Sequence, residues 1–235
     1  MLLGFSLKDL AILIAVYIYV LCIIGVGELI RRRGRHPGIT RKMIHFLAGD
    51  AILILPLFSS PIWPAMIPIG LGLMVAFAFT FLKKSPITTA MIEPGDTAVH
   101  AYGPVYYIIS ILILVIAFWE WKLPAMAATF IMAWGDGAAT LVAKRFKNRH
   151  VFPWGDKSLE GSLGMLIFSL AGSLLSLAAC IALGVQIPPM KGLTACVVGS
   201  LVGTLVEALT VGAIRPFDNF TVPLTSALAI WLIIK

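Results

Sequence analysis

The chain has 235 residues and a formal net charge of +7, and 60% of its residues are hydrophobic while only 12% are charged. A soluble domain carries roughly 25% charged residues, so this composition excludes a soluble globular protein, and its apolar content excludes a disordered chain. It predicts an all-α, polytopic integral membrane protein with one transmembrane domain over residues 1–235. The basic excess is typical of loops that face an anionic membrane surface, so nucleic acid is not an expected partner.

Apolar runs bounded by charges, glycine or proline predict about eight transmembrane helices. The second and last of these runs are short, so seven helices remain an alternative. The predicted spans cover residues 10–30, 43–58, 62–82, 104–119, 123–143, 163–184, 193–212 and 220–234.

The basic residues are distributed unequally between the two sides of this topology. With the amino terminus outside, residues 31–42, 83–103, 144–162 and 213–219 lie on the inner side and hold 14 of the 18 Lys and Arg residues. Every inner loop then follows the positive-inside rule. The sequence therefore predicts that the polar chemistry, and any active site, lies on the cytoplasmic side.

Three acidic residues inside predicted spans stand out, namely Asp50, Asp136 and Glu207. Each is about 8 to 12 Å from the inner membrane edge at a rise of about 1.5 Å per residue. Carboxylates at this depth are costly unless they face a partner or a wet cavity. They predict a shared cavity, and the alternative is three separate polar contacts between helices.

Asp136, Thr140 and Lys144 follow one another at intervals of four residues and therefore share one face of the fifth span. An acid with a cation at the rim suits a metal ion bound to phosphate oxygens. The small residues around Asp136 would let a neighbouring helix or a ligand approach the backbone closely.

The inner loop that follows ends in Lys157-Ser158-Leu159-Glu160-Gly161-Ser162. Ser158 can cap the next helix, and a helix amino terminus beside Lys157 binds phosphate readily. The loop is not a P-loop, because the GxxxxGK[ST] spacing is absent. The alternative is a solvated basic loop that touches lipid headgroups.

Arg41 and Lys42 stand directly before the second span, and His45 lies one helical turn further on. The two cations are either anchors on the inner membrane surface or phosphate ligands. His45 lies within the apolar run and therefore needs a polar partner.

Two further candidate site features lie near the carboxyl terminus. Gly199, Gly203 and Glu207 recur at intervals of four, which predicts a packing stripe that leads to a carboxylate. Asp218 and Asn219 precede the last span, where helix capping is the simplest interpretation of Asp218.

Five of these elements, in this order over roughly residues 41–230, resemble the CTP-dependent lipid alcohol kinases, which include dolichol kinase, phytol kinase and the CTP-using diacylglycerol kinase. The elements are Arg41-Lys42-Met43-Ile44-His45, Gly135-Asp136-Gly137-Ala138-Ala139, the segment from Lys157 to Ser162, Val206-Glu207, and Asp218-Asn219-Phe220-Thr221-Val222-Pro223.

The resemblance implies transfer of the γ-phosphoryl group of CTP to the hydroxyl of a long-chain membrane isoprenoid alcohol, with Mg²⁺ as the divalent cation. It implies catalytic roles for Asp136, Glu160, Glu207 and His45, with Asp136 and Glu160 as metal ligands. The implied nucleotide-binding residues are Arg41, Lys42, Lys144, Lys157, Ser158, Gly161, Ser162, Asp218 and Asn219.

Three other functions remain open from the sequence. A cytidylyltransferase would also use CTP but would join the nucleotide to a phosphorylated lipid, and a CTP-dependent diacylglycerol kinase would use a different alcohol. A small ion-coupled transporter would also carry buried acids, but these acids cluster at one membrane edge rather than at the midplane. The sequence indicates no oligomeric state.

Overall fold

The computed structural model describes residues 6–34, 37–92 and 102–235, and in these ranges the regular structure is helical apart from one isolated bridge between Val151 and Ser158. The all-α prediction is therefore confirmed. The α-helices are α1 (Leu7–Arg32), α2 (Pro37–Gly49), α3 (Ile62–Phe81), α4 (Pro86–Met91), α5 (Gly103–Ala117), α6 (Leu123–Phe130), α7 (Gly137–Arg145), α8 (Leu159–Ala182), α9 (Pro189–Leu209) and α10 (Asp218–Ile234).

Five segments of the described chain are long and apolar enough to cross a membrane. They are α1, α3, the continuous segment Leu123–Arg145 that contains α6 and α7, α8 and α9; α5 and α10 are shorter apolar helices. This arrangement confirms a multi-pass membrane protein.

The second predicted span is not one continuous α-helix. Helix α2 ends at Gly49, and a 3₁₀ helix continues from Asp50 to Leu57. Pro56 lies inside this segment, and its ring would clash with the carbonyl four residues earlier in an α-helix. The two pieces nevertheless return the chain to the end of the bundle where α1 begins, because Ser59 hydrogen-bonds to Asp9. With the seven apolar helices, this path agrees with eight passages.

The cationic ends of the helices lie together at one end of the bundle, which we call the basic face. Arg31 and Arg32 lie in the last turn of α1, and Lys144 lies in the last turn of α7. Lys42 and Lys157 reach the same region through ion pairs. The opposite end, which holds the Asp9–Ser59 contact, is the far face. Residues 93–101 of the predicted inner loop 83–103 lie outside the described residues.

The segment Leu123–Arg145 is the most buried of the candidate spans in the described chain. A π-helical turn, Ile131–Asp136, separates α6 from α7 and ends at Asp136. A Cβ atom on Gly135 would lie 2.2 Å from the Ser169 hydroxyl oxygen of α8. The expectation that small residues let a neighbouring helix approach closely is therefore confirmed, and π turns of this kind are frequent at functional sites.

The packing stripe predicted on α9 is also confirmed. A Cβ atom on Gly199 would lie 2.5 Å from Ile230 of α10, and one on Gly203 would lie 2.5 Å from Ile131. The two glycines allow α9 to contact both α10 and the segment Leu123–Arg145. This packing positions Glu207 at the basic face.

Candidate active site

One cavity of about 650 Å³ reaches the basic face, where the exposed side chains of Lys144 and Arg149 line it. Its polar end brings together every sequence-predicted site residue except Glu160. These residues are Arg41, Lys42, His45, Asp136, Lys144, Lys157, Ser158, Gly161, Ser162, Glu207, Asp218 and Asn219.

Two ion pairs cross the polar end. Lys42 of α2 pairs with Asp136 at the end of the π turn, and Lys157 pairs with Glu207 of α9. Both carboxylates are buried, with exposed fractions of 7% for Asp136 and 3% for Glu207. A buried carboxylate is stable only with such a partner, so each acid fixes a lysine ammonium in the wall of the cavity.

The charge on Lys157 is maintained by its neighbours. Burial disfavours the ammonium form, but the carboxylates of Glu207 and Asp136 outweigh this effect and raise the pKa of Lys157 above its usual value. These carboxylates therefore favour the charged form of Lys157 in the loop before α8.

Thr140 lines the same cavity as Asp136 and Lys144, so the predicted shared face is confirmed. The prediction that three acids share the cavity is wrong for Asp50. Its carboxylate accepts a hydrogen bond from the Trp134 indole nitrogen at 2.7 Å and does not line the cavity. Trp134 also stacks on Phe46 of α2 at 4.9 Å. Asp50 therefore makes a packing contact between the 3₁₀ helix and the segment Leu123–Arg145.

Two polar atoms in the cavity wall are buried and have no hydrogen-bond partner, namely Nε2 of His45 and Oγ of Ser162. The backbone of Met132 accepts a hydrogen bond from the other nitrogen of the His45 ring, and both His45 and Ser162 line the cavity. Buried polar groups are almost always hydrogen-bonded in proteins. These two atoms are therefore positions where a ligand can supply the missing partner.

Glu160 has a different position from the one expected. Its carboxylate accepts hydrogen bonds from the backbone nitrogen of His150 at 3.1 Å and contacts the His150 ring at 2.6 Å. It does not line the cavity with Asp136, so the structure does not bring the two expected metal ligands together. Glu160 instead fixes the loop that carries Lys157.

The amino terminus of α8 is capped by Ser158, as predicted, because its hydroxyl accepts from the Gly161 nitrogen at 3.3 Å. The Leu159 and Ser162 nitrogens donate to the carbonyls of His150 and Ser158. Since these amides already have acceptors, a phosphate in the cavity would meet the Ser162 hydroxyl and the Lys157 ammonium rather than free helix amides.

Asp218 is not the residue that caps α10. Phe217 occupies the cap position without a side-chain hydrogen bond, and Asp218 is the first helical residue. Its carboxylate accepts from the Asn219 amide at 3.1 Å and interacts electrostatically with Asp136, Lys42 and Lys157. Asp218 therefore belongs to the charged group around the two ion pairs.

Sequence reasoning missed many of the residues that line the cavity, and Tyr107, Arg149 and Asp156 are among them. The Tyr107 ring lies 4.0 Å from the His45 ring, between centroids. Arg149 and Asp156 lie in the same basic loop as Lys157. Their positions follow from the fold of this loop, in which the Trp154 indole nitrogen donates to the Ala208 carbonyl at 3.0 Å.

The polar end suits a magnesium ion only together with phosphate. The described residues contain no group of three His, Cys, Asp or Glu side chains arranged to hold a metal ion. Asp136 and Asp218 nevertheless both line the cavity and interact electrostatically. Mg²⁺ is usually held by one or two carboxylates together with substrate phosphates and water. The donors therefore fit Mg²⁺, with Asp218 rather than Glu160 beside Asp136.

No model of a known protein family matches the chain, and no solved structure matches it. Over 217 residues, the chain is 32% identical to a phytol kinase of Synechocystis sp., and the match covers 91% of this chain and 87% of the relative. The chain belongs to the phytol kinase family. Phytol kinase 1, chloroplastic, of Arabidopsis thaliana is 27% identical over 89% of this chain and 71% of its own length. Farnesol kinase, chloroplastic, of the same plant is 28% identical over 88% and 69%. The family resemblance inferred from the motifs is thereby confirmed.

Proposed function

We propose that the protein is a membrane kinase that transfers the γ-phosphoryl group of CTP to the hydroxyl of a prenyl alcohol of the phytol type. One observation supports this most strongly. In a chain with relatives named phytol kinase and farnesol kinase, one cavity has a charged end at the basic face and continues into an apolar end inside the bundle. A polyanionic nucleotide can therefore occupy the charged end while the tail of an insoluble alcohol occupies the apolar end.

The charged end is suited to a triphosphate. Arg41, Lys42, Lys144, Arg149 and Lys157 all line it. Phosphoryl transfer depends chiefly on positioning and charge neutralisation. We assign the two paired lysines and the unpartnered Ser162 hydroxyl to phosphate oxygens, because the ion pairs hold both ammonium groups at the wall before the nucleotide binds.

The alcohol hydroxyl belongs at the junction of the two ends, where Nε2 of His45 has no partner. In the reaction, the alcohol oxygen forms a bond to the γ-phosphorus, the bond from that phosphorus to the β–γ bridging oxygen breaks, and CDP leaves. The hydroxyl proton passes to Nε2 of His45, which is free to accept it because the ring donates to Met132 through its other nitrogen.

A bound Mg²⁺ would neutralise charge on the phosphate oxygens. Asp136 and Asp218 are the side chains that would hold it, as ligands or through bound water. Asp136 has a second task in the same place, because it orients the Lys42 ammonium.

We propose that the basic face is cytoplasmic. The loops that carry Arg31, Lys144 and Lys157 lie at this end of the bundle, and an excess of Lys and Arg is typical of the cytoplasmic side. Cytosolic nucleotide would then enter the charged end directly.

Purified protein incubated with phytol and CTP labelled at either the α or the γ phosphorus tests the reaction. We expect only the γ label in the lipid fraction, as phytyl phosphate, and slower transfer from γ-labelled ATP at the same concentration. An α label in the lipid would indicate a cytidylyltransferase instead. Diacylglycerol as the preferred acceptor would contradict the prenyl alcohol, and equal rates with ATP would contradict the CTP preference.

A further inference from the structure

The cavity extends beyond its charged end. Beyond His45 it continues between α1, the 3₁₀ helix, α3 and α5 as an apolar tunnel whose walls include Ile24, Ile52, Leu71 and Ile111. The tunnel ends near the far face, at Leu55, Phe58, Pro64 and Val115. No charged side chain of the described residues lines this part, so its chemistry suits a hydrocarbon.

The depth of the tunnel follows from the helices that line it. From His45 to Gly49 the chain rises about 6 Å at 1.5 Å per residue of α-helix. From Gly49 to Phe58 it rises about 18 Å at roughly 2.0 Å per residue of 3₁₀ helix. An extended hydrocarbon advances about 1.25 Å per carbon, so this depth of about 24 Å accepts a main chain of about 19 carbons. The main chain of phytol has about 16 carbons and fits.

The floor of the tunnel is held rigidly. Leu55 and Val115 are each 1% exposed, and Phe58 is 5% exposed. The next residue, Ser59, donates to the Asp9 carboxylate through its backbone nitrogen at 3.1 Å and also through its hydroxyl. Asp9 is fully buried in the first turn of α1 and has no part in the charged site. This contact fixes the backbone directly after Phe58.

We propose that Leu55, Phe58 and Val115 form a floor that limits the length of the alcohol, so that the protein accepts tails up to about C20 and discriminates against longer polyprenols. This proposal rests on the proposed function and adds the substrate length to it. The occupant of the tunnel is the isoprenoid tail, because the apolar walls are continuous with the site assigned to its hydroxyl. A longer tail would have to fold back or displace the floor.

Two opposite substitutions test the floor, with rates measured for prenyl alcohols from C10 to C55. We expect Phe58→Ala to raise the ratio of kcat/KM for C25 over C20 at least about tenfold, since removing several buried carbons makes room for one more isoprene unit. We expect Ile111→Trp, which fills the middle of the tunnel, to lower kcat/KM for the C20 alcohol at least about tenfold. The kcat/KM for the C10 alcohol should be unchanged.

Outward-facing residues on the same helices provide the controls. Phe77→Ala on α3 and Ile113→Trp on α5 change side chains that are 55% and 40% exposed, and we expect both to keep the wild-type length profile. Phe58→Leu, a milder change at the floor, should shift the profile in the same direction if Phe58→Ala does not fold.

The possible failures are distinguishable. Turnover of C10 and C20 alcohols with an unchanged length profile in the floor and tunnel variants would overturn the length limit and leave the kinase standing. Equal wild-type rates from C20 to C55 would also overturn it. Absence of transfer to every alcohol by the wild-type protein would overturn the proposed function itself.

Discussion

Replacing Asp136 by asparagine removes the carboxylate that faces Lys42 and hardly changes the size of the side chain. Loss of one partner of a fully buried ion pair costs about 3 to 5 kcal/mol. The Lys42 side chain is 21% exposed through the cavity, so solvent can compensate part of its charge. We therefore expect a smaller loss in the free energy of unfolding, about 1 to 3 kcal/mol.

The effect on catalysis should be larger than this loss of stability can explain. Asp136 pairs with Lys42 and lies where we propose that the nucleotide phosphates bind. Removing one electrostatic stabiliser of a transition state costs about 100- to 1000-fold in rate. The assay measures γ-label transfer and the melting temperature in detergent on the same preparation of Asp136→Asn. The rate should fall at least about 100-fold in protein that is still folded at the assay temperature.

Asp50→Asn is the matched control, because Asp50 is also an aspartate in a membrane-spanning segment but bonds to Trp134 outside the cavity. We expect it to lower the melting temperature while the rate stays within about threefold of wild type. Near-normal activity of folded Asp136→Asn, or an equal loss of activity in both variants, would refute the assignment of Asp136 to the site.

Four further predictions follow from the site. His45→Asn should lower kcat about 100-fold, since it removes Nε2 but keeps a donor toward Met132; an unchanged kcat would exclude the proton role. Lys157→Met should raise the KM for CTP at least about tenfold, whereas Lys147→Met in the exposed part of the loop should not, and equal effects would contradict a specific contact. Chelation of divalent cations should abolish transfer, and added Mg²⁺ should restore it; full activity without a divalent cation would contradict a metal requirement. In a cysteine-free background, a cysteine at position 147 should be labelled from the cytoplasm and one at 186 from the other side; the reverse would contradict the topology.

The sequence predicted the membrane class and most of the charged residues that line the cavity, because both depend on the cost of charge in an apolar environment. A carboxylate such as Asp136 or Glu207 in an apolar helix requires a partner wherever that partner lies in the chain. The spacing of Asp136, Thr140 and Lys144 also survives folding, because α7 continues directly from the π turn. These inferences need only the periodicity of the helix and the cost of placing a charge in an apolar membrane.

The partners themselves could not be predicted, because they are tertiary contacts between distant parts of the chain. Lys42 and Asp136 are 94 residues apart, and Asp50 and Trp134 are 84 apart. Nothing local distinguishes Asp50 from Asp136 as a cavity residue. The position of Glu160 likewise depends on the fold of the preceding loop, which brings His150 to its carboxylate.

The central claim is that the alcohol and the nucleotide meet in one cavity, and photocrosslinking tests it most directly. A phytol analogue with a diazirine midway along its tail would be irradiated on the purified protein in the presence of CDP, and the labelled peptides identified by mass spectrometry. We predict labelling in the 3₁₀ helix around Ile52 and in α5 around Ile111, with loss of the label when excess phytol is added. Labelling confined to the outward face of α3 around Phe77, or labelling that phytol does not reduce, would contradict the account.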